Sequence, residues 1–153
     1  MKNDKLIIVV FSFGKQIEII SNFSFFIFIK DWGGSVAENV SVNKSFDFAI
    51  RIVKVYQYLT KEKKEFILSK QLLRCGTSIG ANVSEAQFGQ SRADFYAKMQ
   101  IALKEAGETR YWIQLLYRTG YLSSKQFESL FKDIEELICI LSTICKTAPP
   151  KGA

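Results

Sequence analysis

Between Arg74 and Glu85 the chain sets polar residues on one helical face, Arg74, Ser78, Asn82 and Glu85, at spacings of 4, 4 and 3. Such a stripe can carry a hydrogen-bonded network beside a close helix contact, present a binding strip, or simply lie in solvent. Farther on, Glu105 and Glu108 stand one turn apart, with Arg110 behind them. Paired carboxylates do acid–base work or hold a metal ion when a nucleophile, a further ligand or a phosphate loop accompanies them. The sequence supplies no such companion. It contains no His, which removes imidazole chemistry and His-based triads and metal sites. Cys75, Cys139 and Cys145 form no CxxC pair, and an odd set of scattered thiols suits a reducing compartment. Gly76-x-x-x-Gly80 is not followed by Lys-Ser/Thr, so it is no phosphate loop. The expectation is a protein without catalytic residues, metal or cofactor.

The cations tell more. Residues 1–43 carry four Lys against four acids, whereas residues 44–153 carry 17 Lys and Arg against 11 Asp and Glu, which is the whole net charge of +6. A basic domain attracts polyanions, although +6 is also an ordinary solubility charge. The candidates for phosphate contact are Lys61, Lys63, Lys64, Lys70, Arg92, Lys98, Arg118 and Lys125. Neither an aromatic RNA-stacking motif nor a helix-turn-helix pattern accompanies them, so sequence-tolerant, salt-sensitive binding is expected rather than groove reading.

Four periodic stretches must position these groups. Ala49, Ile52, Tyr56 and Leu59 begin a first helix, with Ser45 as its N-cap. Leu72, Gly76, Ile79, Val83 and Ala86 mark a second, ending at Gly89. Ser91-Arg-Ala-Asp94 opens a third in the form of a capping box, and Phe95, Met99, Ala102, Ala106, Thr109, Ile113 and Leu116 continue it to Gly120. Phe127, Leu130, Ile134, Leu137, Leu141 and Ile144 define the fourth, closed by Pro149-Pro150. This is an all-α, up-down-up-down four-helix bundle over residues 44–147, with 148–153 as a tail. The second helix is poor on propensity, since Gly76 and Gly80 each cost up to about 1 kcal/mol against Ala. Gly76, Gly80 and Ser84 form a smooth strip, and a close helix contact would offset that cost, with Ala102, Ala106 and Gly107 as the matching surface. Tyr111, Trp112 and Tyr117 widen the third helix's apolar face beyond what one core needs, which suggests burial against another subunit.

Residues 1–35 do not match the rest. Their apolar runs, Leu6–Phe13 and Phe23–Ile29, fall short of the ~20 residues that span a bilayer. A β-hairpin and an export or membrane segment are both open readings. The preferred one is that residues 1–34 are a mis-called extension, the natural start lying near Val36.

Gln71-Leu-Leu-Arg-Cys-Gly-Thr-Ser-Ile-Gly-Ala-Asn-Val-Ser-Glu-Ala86 resembles the signature of the four-helix-bundle proteins encoded in 23S rRNA intervening sequences. So does Asp94-Phe-Tyr-Ala-Lys-Met-Gln-Ile-Ala-Leu-Lys-Glu-Ala-Gly-Glu-Thr-Arg-Tyr-Trp112, and Lys44-Ser-Phe-Asp-Phe-Ala49 is similar to the family's opening. The resemblance covers about residues 44–146. Cys75 and Gly107 stand where the family has Ser, and residues 1–34 have no counterpart. It implies a bacterial, cytoplasmic homopentamer, related to the accessory variability determinant of diversity-generating retroelements, a basic pentameric barrel that binds nucleic acid and a reverse transcriptase. By position, Arg74, Gly76, Ser78, Gly80, Asn82, Glu85, Glu105 and Glu108 match the motif and are expected to be structural or inter-subunit. Two main functional readings follow. One is an accessory protein that binds RNA or DNA. The other is a pentameric scaffold for a protein partner encoded nearby, with no small-molecule substrate in either case. A nuclease that processes the rRNA insert and a membrane-associated protein are weaker alternatives.

Overall fold

The structure, a computed structural model, describes residues 36–148. The readings of the first 35 residues and of the Pro149-Pro150 stop lie outside those residues. Four helices account for most of the described chain: α1 (Val36–Lys61), α2 (Leu68–Ala86), α3 (Arg92–Arg118) and α4 (Ser124–Lys146). Cross-helix pairs fix their order. Gly76 and Gly80 of α2 lie against Ile52 and Ser45 of α1, Glu85 and Arg74 meet Lys98 and Glu108 of α3, Arg110 reaches Glu135 of α4, and Lys44 and Arg51 reach Glu136 and Asp133. With Tyr117 of α3 stacked on Phe127 of α4 beside the Arg110–Glu135 pair, one number rises as the other falls between each two neighbours, so neighbouring helices are antiparallel and α1 closes the ring on α4. This is the up-down-up-down bundle that the periodicity predicts.

Three helices bury the stripes read from sequence, except that Phe95 and Phe127, which begin the third and fourth, are only half-buried. Leu72, Gly76, Ile79, Val83 and Ala86 are all buried on α2, as are Met99, Ala102, Ala106, Thr109, Ile113 and Leu116 on α3 and Leu130, Ile134, Leu137, Leu141 and Ile144 on α4. The first helix differs. It begins at Val36 and runs 26 residues, so Ser45 is no N-cap. Ser45 sits inside α1 with 1% of its surface exposed, and its hydroxyl donates to the Val42 carbonyl at 3.1 Å. The buried stripe of α1 is Ser41, Ser45, Phe48, Ile52 and Leu59, while Ala49 and Tyr56 are only half-buried. The small-residue strip explains the shift. A Cβ built on Gly76 would lie 2.8 Å from Ile52 Cγ1, and one on Gly80 would lie 3.3 Å from the Ser45 carbonyl oxygen. The two glycines of the strip therefore pack on α1, whereas Ser84 is exposed, and Gly107, expected on the matching surface of α3, would meet nothing within 4 Å if it carried a Cβ.

The helix ends are closed by side chains. Ser91 Oγ accepts the Asp94 N–H at 3.1 Å, but the Asp94 carboxylate turns to the Gln90 N–H, so the box is displaced by one residue. Ser123 and Gln126 form a complete capping box on α4. Gly120, at φ +81°, ends α3, with the Tyr121 N–H on the Leu116 carbonyl at 2.9 Å and the Gly120 N–H on that of Tyr117 at 3.0 Å, the Schellman pattern that favours glycine.

The start of α2 is held by Glu65, which the sequence reading passed over. Its carboxylate accepts the N–H groups of Ile67, Leu68 and Ser69 at 2.9, 2.8 and 2.6 Å, and the Ser69 hydroxyl returns a bond to the Glu65 carbonyl at 2.8 Å. Burial pushes this carboxyl up, but the backbone donors, Leu68 foremost, outweigh it and hold the Glu65 carboxyl below its ordinary value. A folded-state value below the unfolded one stabilises the fold above the ordinary carboxylate range and is lost as pH falls through the folded value. Glu65→Gln is therefore expected to lower stability by about 1–2 kcal/mol at neutral pH and to flatten the acid limb of the wild-type profile, read by urea denaturation across pH.

Candidate functional site

Two groups of polar residues emerge, and they differ in kind. The first is the seam between α2 and α3. Arg74 reaches across it to Glu108, and its second guanidinium nitrogen lies 3.6 Å from Glu105. The Arg74 guanidinium first, and then the Trp112 indole N–H at 3.2 Å, hold the Glu108 carboxyl below its usual range, and Glu108 in turn raises Arg74. At the other end of the seam Glu85 takes Lys98 at 2.6 Å. Between them the stripe does not cross at all. Ser78 Oγ donates to the Arg74 carbonyl at 2.7 Å and Asn82 Nδ2 to the Ser78 carbonyl at 2.9 Å, both along their own helix. Arg110, placed with these carboxylates by sequence, faces the other way and pairs with Glu135 at 3.1 Å.

This seam is laced by ion pairs. Glu105 and Glu108 share one cation, and no cluster of three metal-ligating side chains occurs among the described residues. The thiol beside the seam is equally quiet: burial, only partly offset by Thr109, pushes Cys75 up to about 11, so the nucleophilic thiolate is scarce near neutral pH.

The second group lies at one end of the bundle. Lys61 ends α1, Lys63 and Lys64 follow in the connection, Lys70 is in the first turn of α2, Arg118 ends α3 and Lys125 is in the first turn of α4. The antiparallel order brings these termini together. All six side chains are exposed, and none forms an ion pair with a described residue. Among the acids nearby, Glu65 is turned inward onto α2, leaving Glu62 and Glu128 exposed. The sequence-predicted phosphate contacts thus divide. Six gather at this end, while Arg92 and Lys98 begin α3 at the far end, where Lys98 is tied to Glu85.

The aromatics of α3 differ in what they meet within the chain. Tyr117, half-buried, stacks on Phe127 of α4 with centroids 4.2 Å apart and planes 9° apart. Trp112 is half-buried against Glu108. Tyr111 alone of the three is exposed. A wider exposed apolar stripe lies on α1, where Phe46, Ile50 and Val53 repeat at helical spacing. Sequence periodicity could have found it, since these three repeat at 4 and 3.

Comparison with known proteins agrees with this architecture. The sequence matches the family described as 23S rRNA-intervening sequence protein over residues 37–143. A solved structure from Bacteroides thetaiotaomicron, a protein of unknown function from the S23 ribosomal protein family, is 54% identical. The alignment covers 73% of this chain and 100% of that one, with a TM-score of 0.72. No curated protein matches the chain.

Proposed function

The chain belongs to the 23S rRNA-intervening sequence protein family, and we propose that it is a non-enzymatic, cytoplasmic accessory protein that binds RNA electrostatically as a homo-oligomer. The observation that carries this reading is the gathering of Lys61, Lys63, Lys64, Lys70, Arg118 and Lys125 at one bundle end with no ion-pair partner among the described residues. On the flanks of the bundle Lys44, Arg51, Arg74 and Arg110 are paired, while Lys54, Lys104 and Lys132 are scattered singly and form no ion pair with a described residue. Flank charges that lace helices together are largely neutralised at short range, whereas unpaired ones at a common end add into one positive field. The ion-paired state of Arg74, Glu105 and Glu108 supports a structural rather than a catalytic role for the motif.

The exposed stripe of Phe46, Ile50 and Val53 supports self-association, and a pentamer is the state that the resemblance implies. The same stripe favours the second reading, a pentameric scaffold for a protein partner. No described helix is long and apolar enough to cross a membrane.

The test is the mass of the full chain in solution, by native mass spectrometry, and its affinity for a structured RNA across a salt series. A pentamer whose affinity falls steeply and linearly in log–log form with salt is expected. A pentamer indifferent to RNA at about 150 mM salt, where nonspecific binding is still measurable, would move the function to the scaffold.

A further inference from the structure

Beside the cationic end, α1, the α3–α4 connection and α4 line an open cleft of about 280 Å³. Its apolar wall is Val55, Leu122 and Leu130, with the Tyr58 ring as a further side. Its polar edge is Lys54, Gln126 and Arg51. These polar groups are not equivalent. Arg51 is clamped by Asp133 and by Ser129, whose hydroxyl accepts at 2.8 Å, so it stiffens the wall and has little charge to offer. Lys54 is exposed and makes no ion pair with a described residue. Gln126 places its carbonyl oxygen on the Ser123 N–H at 2.9 Å, which leaves its amide NH₂ as a donor. On the Tyr58 ring, Lys63 Nζ stands 5.9 Å from the centroid.

The volume lies just under the roughly 300–1,000 Å³ that takes a whole drug-sized ligand, so there is room for one ring system. A flat apolar ring suits the wall and Tyr58, a ring-edge carbonyl suits the Gln126 donors, and an anion attached to that ring suits Lys54 and the lysines beyond. A nucleotide unites all three properties. An aromatic side chain of a protein fits the wall but gives the surrounding cations nothing to meet. We propose that this cleft seats one unpaired nucleobase of a bound RNA strand, Tyr58 stacking on the base and Lys54 meeting its phosphate. The site rests on the RNA-binding reading above and deepens it: the cations hold the backbone, and the cleft adds a contact that an abasic strand cannot make.

The test uses the full chain with fluorescent oligouridine and with an abasic strand of the same length, followed by anisotropy. Tyr58→Ala is expected to weaken oligouridine binding about tenfold, leave the abasic strand and the salt slope unchanged, and be rescued by Tyr58→Phe. In wild type, a 5-iodouridine strand is expected to photocrosslink to Tyr58, which covers the case in which Tyr58→Ala does not fold. Equal oligouridine affinity in wild type and Tyr58→Ala would overturn the cleft and leave the electrostatic reading standing. So would an equal loss on both strands, a crosslink that maps elsewhere, or displacement by N-acetyltryptophanamide but not by uridine monophosphate, which would give the cleft to a protein partner. Failure of wild type to bind either strand would overturn both.

Discussion

Gly76→Val is expected to lower the unfolding free energy by about 3 kcal/mol or more, toward the upper end of what overpacking a core costs. The obstacle is specific. A Cβ at position 76 would lie 2.8 and 2.9 Å from the Cγ1 and Cγ2 of Ile52 and 3.3 Å from its Cβ. Ile52 has no exposed surface, and a β-branched residue in a helix has one strongly preferred rotamer, so these atoms cannot swing clear. The alternative is for α1 and α2 to move apart, which would loosen the neighbouring contact of Gly80 with the Ser45 backbone as well. Gly76→Ala adds only the Cβ. It should still cost about 1–2 kcal/mol net, because a gain of about 1 kcal/mol in helix propensity offsets part of the overpacking. A double-mutant cycle locates the cause. Ile52→Ala removes both γ carbons and alone costs about 2–5 kcal/mol. Combined with Gly76→Ala it should cost less than the sum, by about 1 kcal/mol or more, because the new methyl fills part of the space that isoleucine left. Strict additivity in urea denaturation would show that α1 is not what requires glycine there.

That contact also explains which parts of the molecule were legible. The stripes of α2, α3 and α4 are apolar at helical spacing, and a stripe of that kind has one sensible destination. The inward face of α1 carries Ser41 and Ser45. Read singly, serines in such a pattern suggest a cap or a solvated turn, and Ser45 reads as an N-cap. Their burial makes sense only once α2 is known to present glycine opposite them. The glycine strip itself was visible, but the helix it faces was not, because spacing gives a face and not a partner. The same limit governed the polar stripe. Arg74, Ser78, Asn82 and Glu85 stand out by spacing, whereas the division into two residues that ion-pair across the seam and two that hydrogen-bond along the helix needs the position of α3. Glu65 was missed for a different reason. It caps α2 from outside the usual N-cap position, so the familiar spacing of a Ser or Asp cap was absent. The cationic end was half-legible. The residues were all in the candidate set, but only antiparallel packing separates six that converge from Arg92 and Lys98, which do not.

That separation gives the proposed function its sharpest test. Replacing Lys61 and Lys63 by glutamine and Lys64 by asparagine is expected to weaken RNA binding at physiological salt by about 10–100-fold per bound bundle and to reduce the salt slope by about 2. The slope follows from counterion release: each phosphate contact on a single strand contributes about 0.7, so three lost contacts remove about 2. Asparagine is chosen at position 64 because Lys64 has φ 54°, a left-handed backbone that asparagine tolerates better than most side chains. The control is the far end of the bundle. Lys98→Gln removes the same unit charge, but that charge is committed to Glu85, so the slope should not change. Arg92→Gln, also distant from the cluster, should lower affinity only through net charge, within about twofold and less as salt screens it. A uniform response, in which Arg92→Gln or Lys98→Gln costs as much as any one of the three lysines, would mean that the whole molecule's charge and not a defined end attracts the strand. An unchanged slope in the triple variant, with its mass in solution also unchanged, would remove Lys61, Lys63 and Lys64 from the interface altogether.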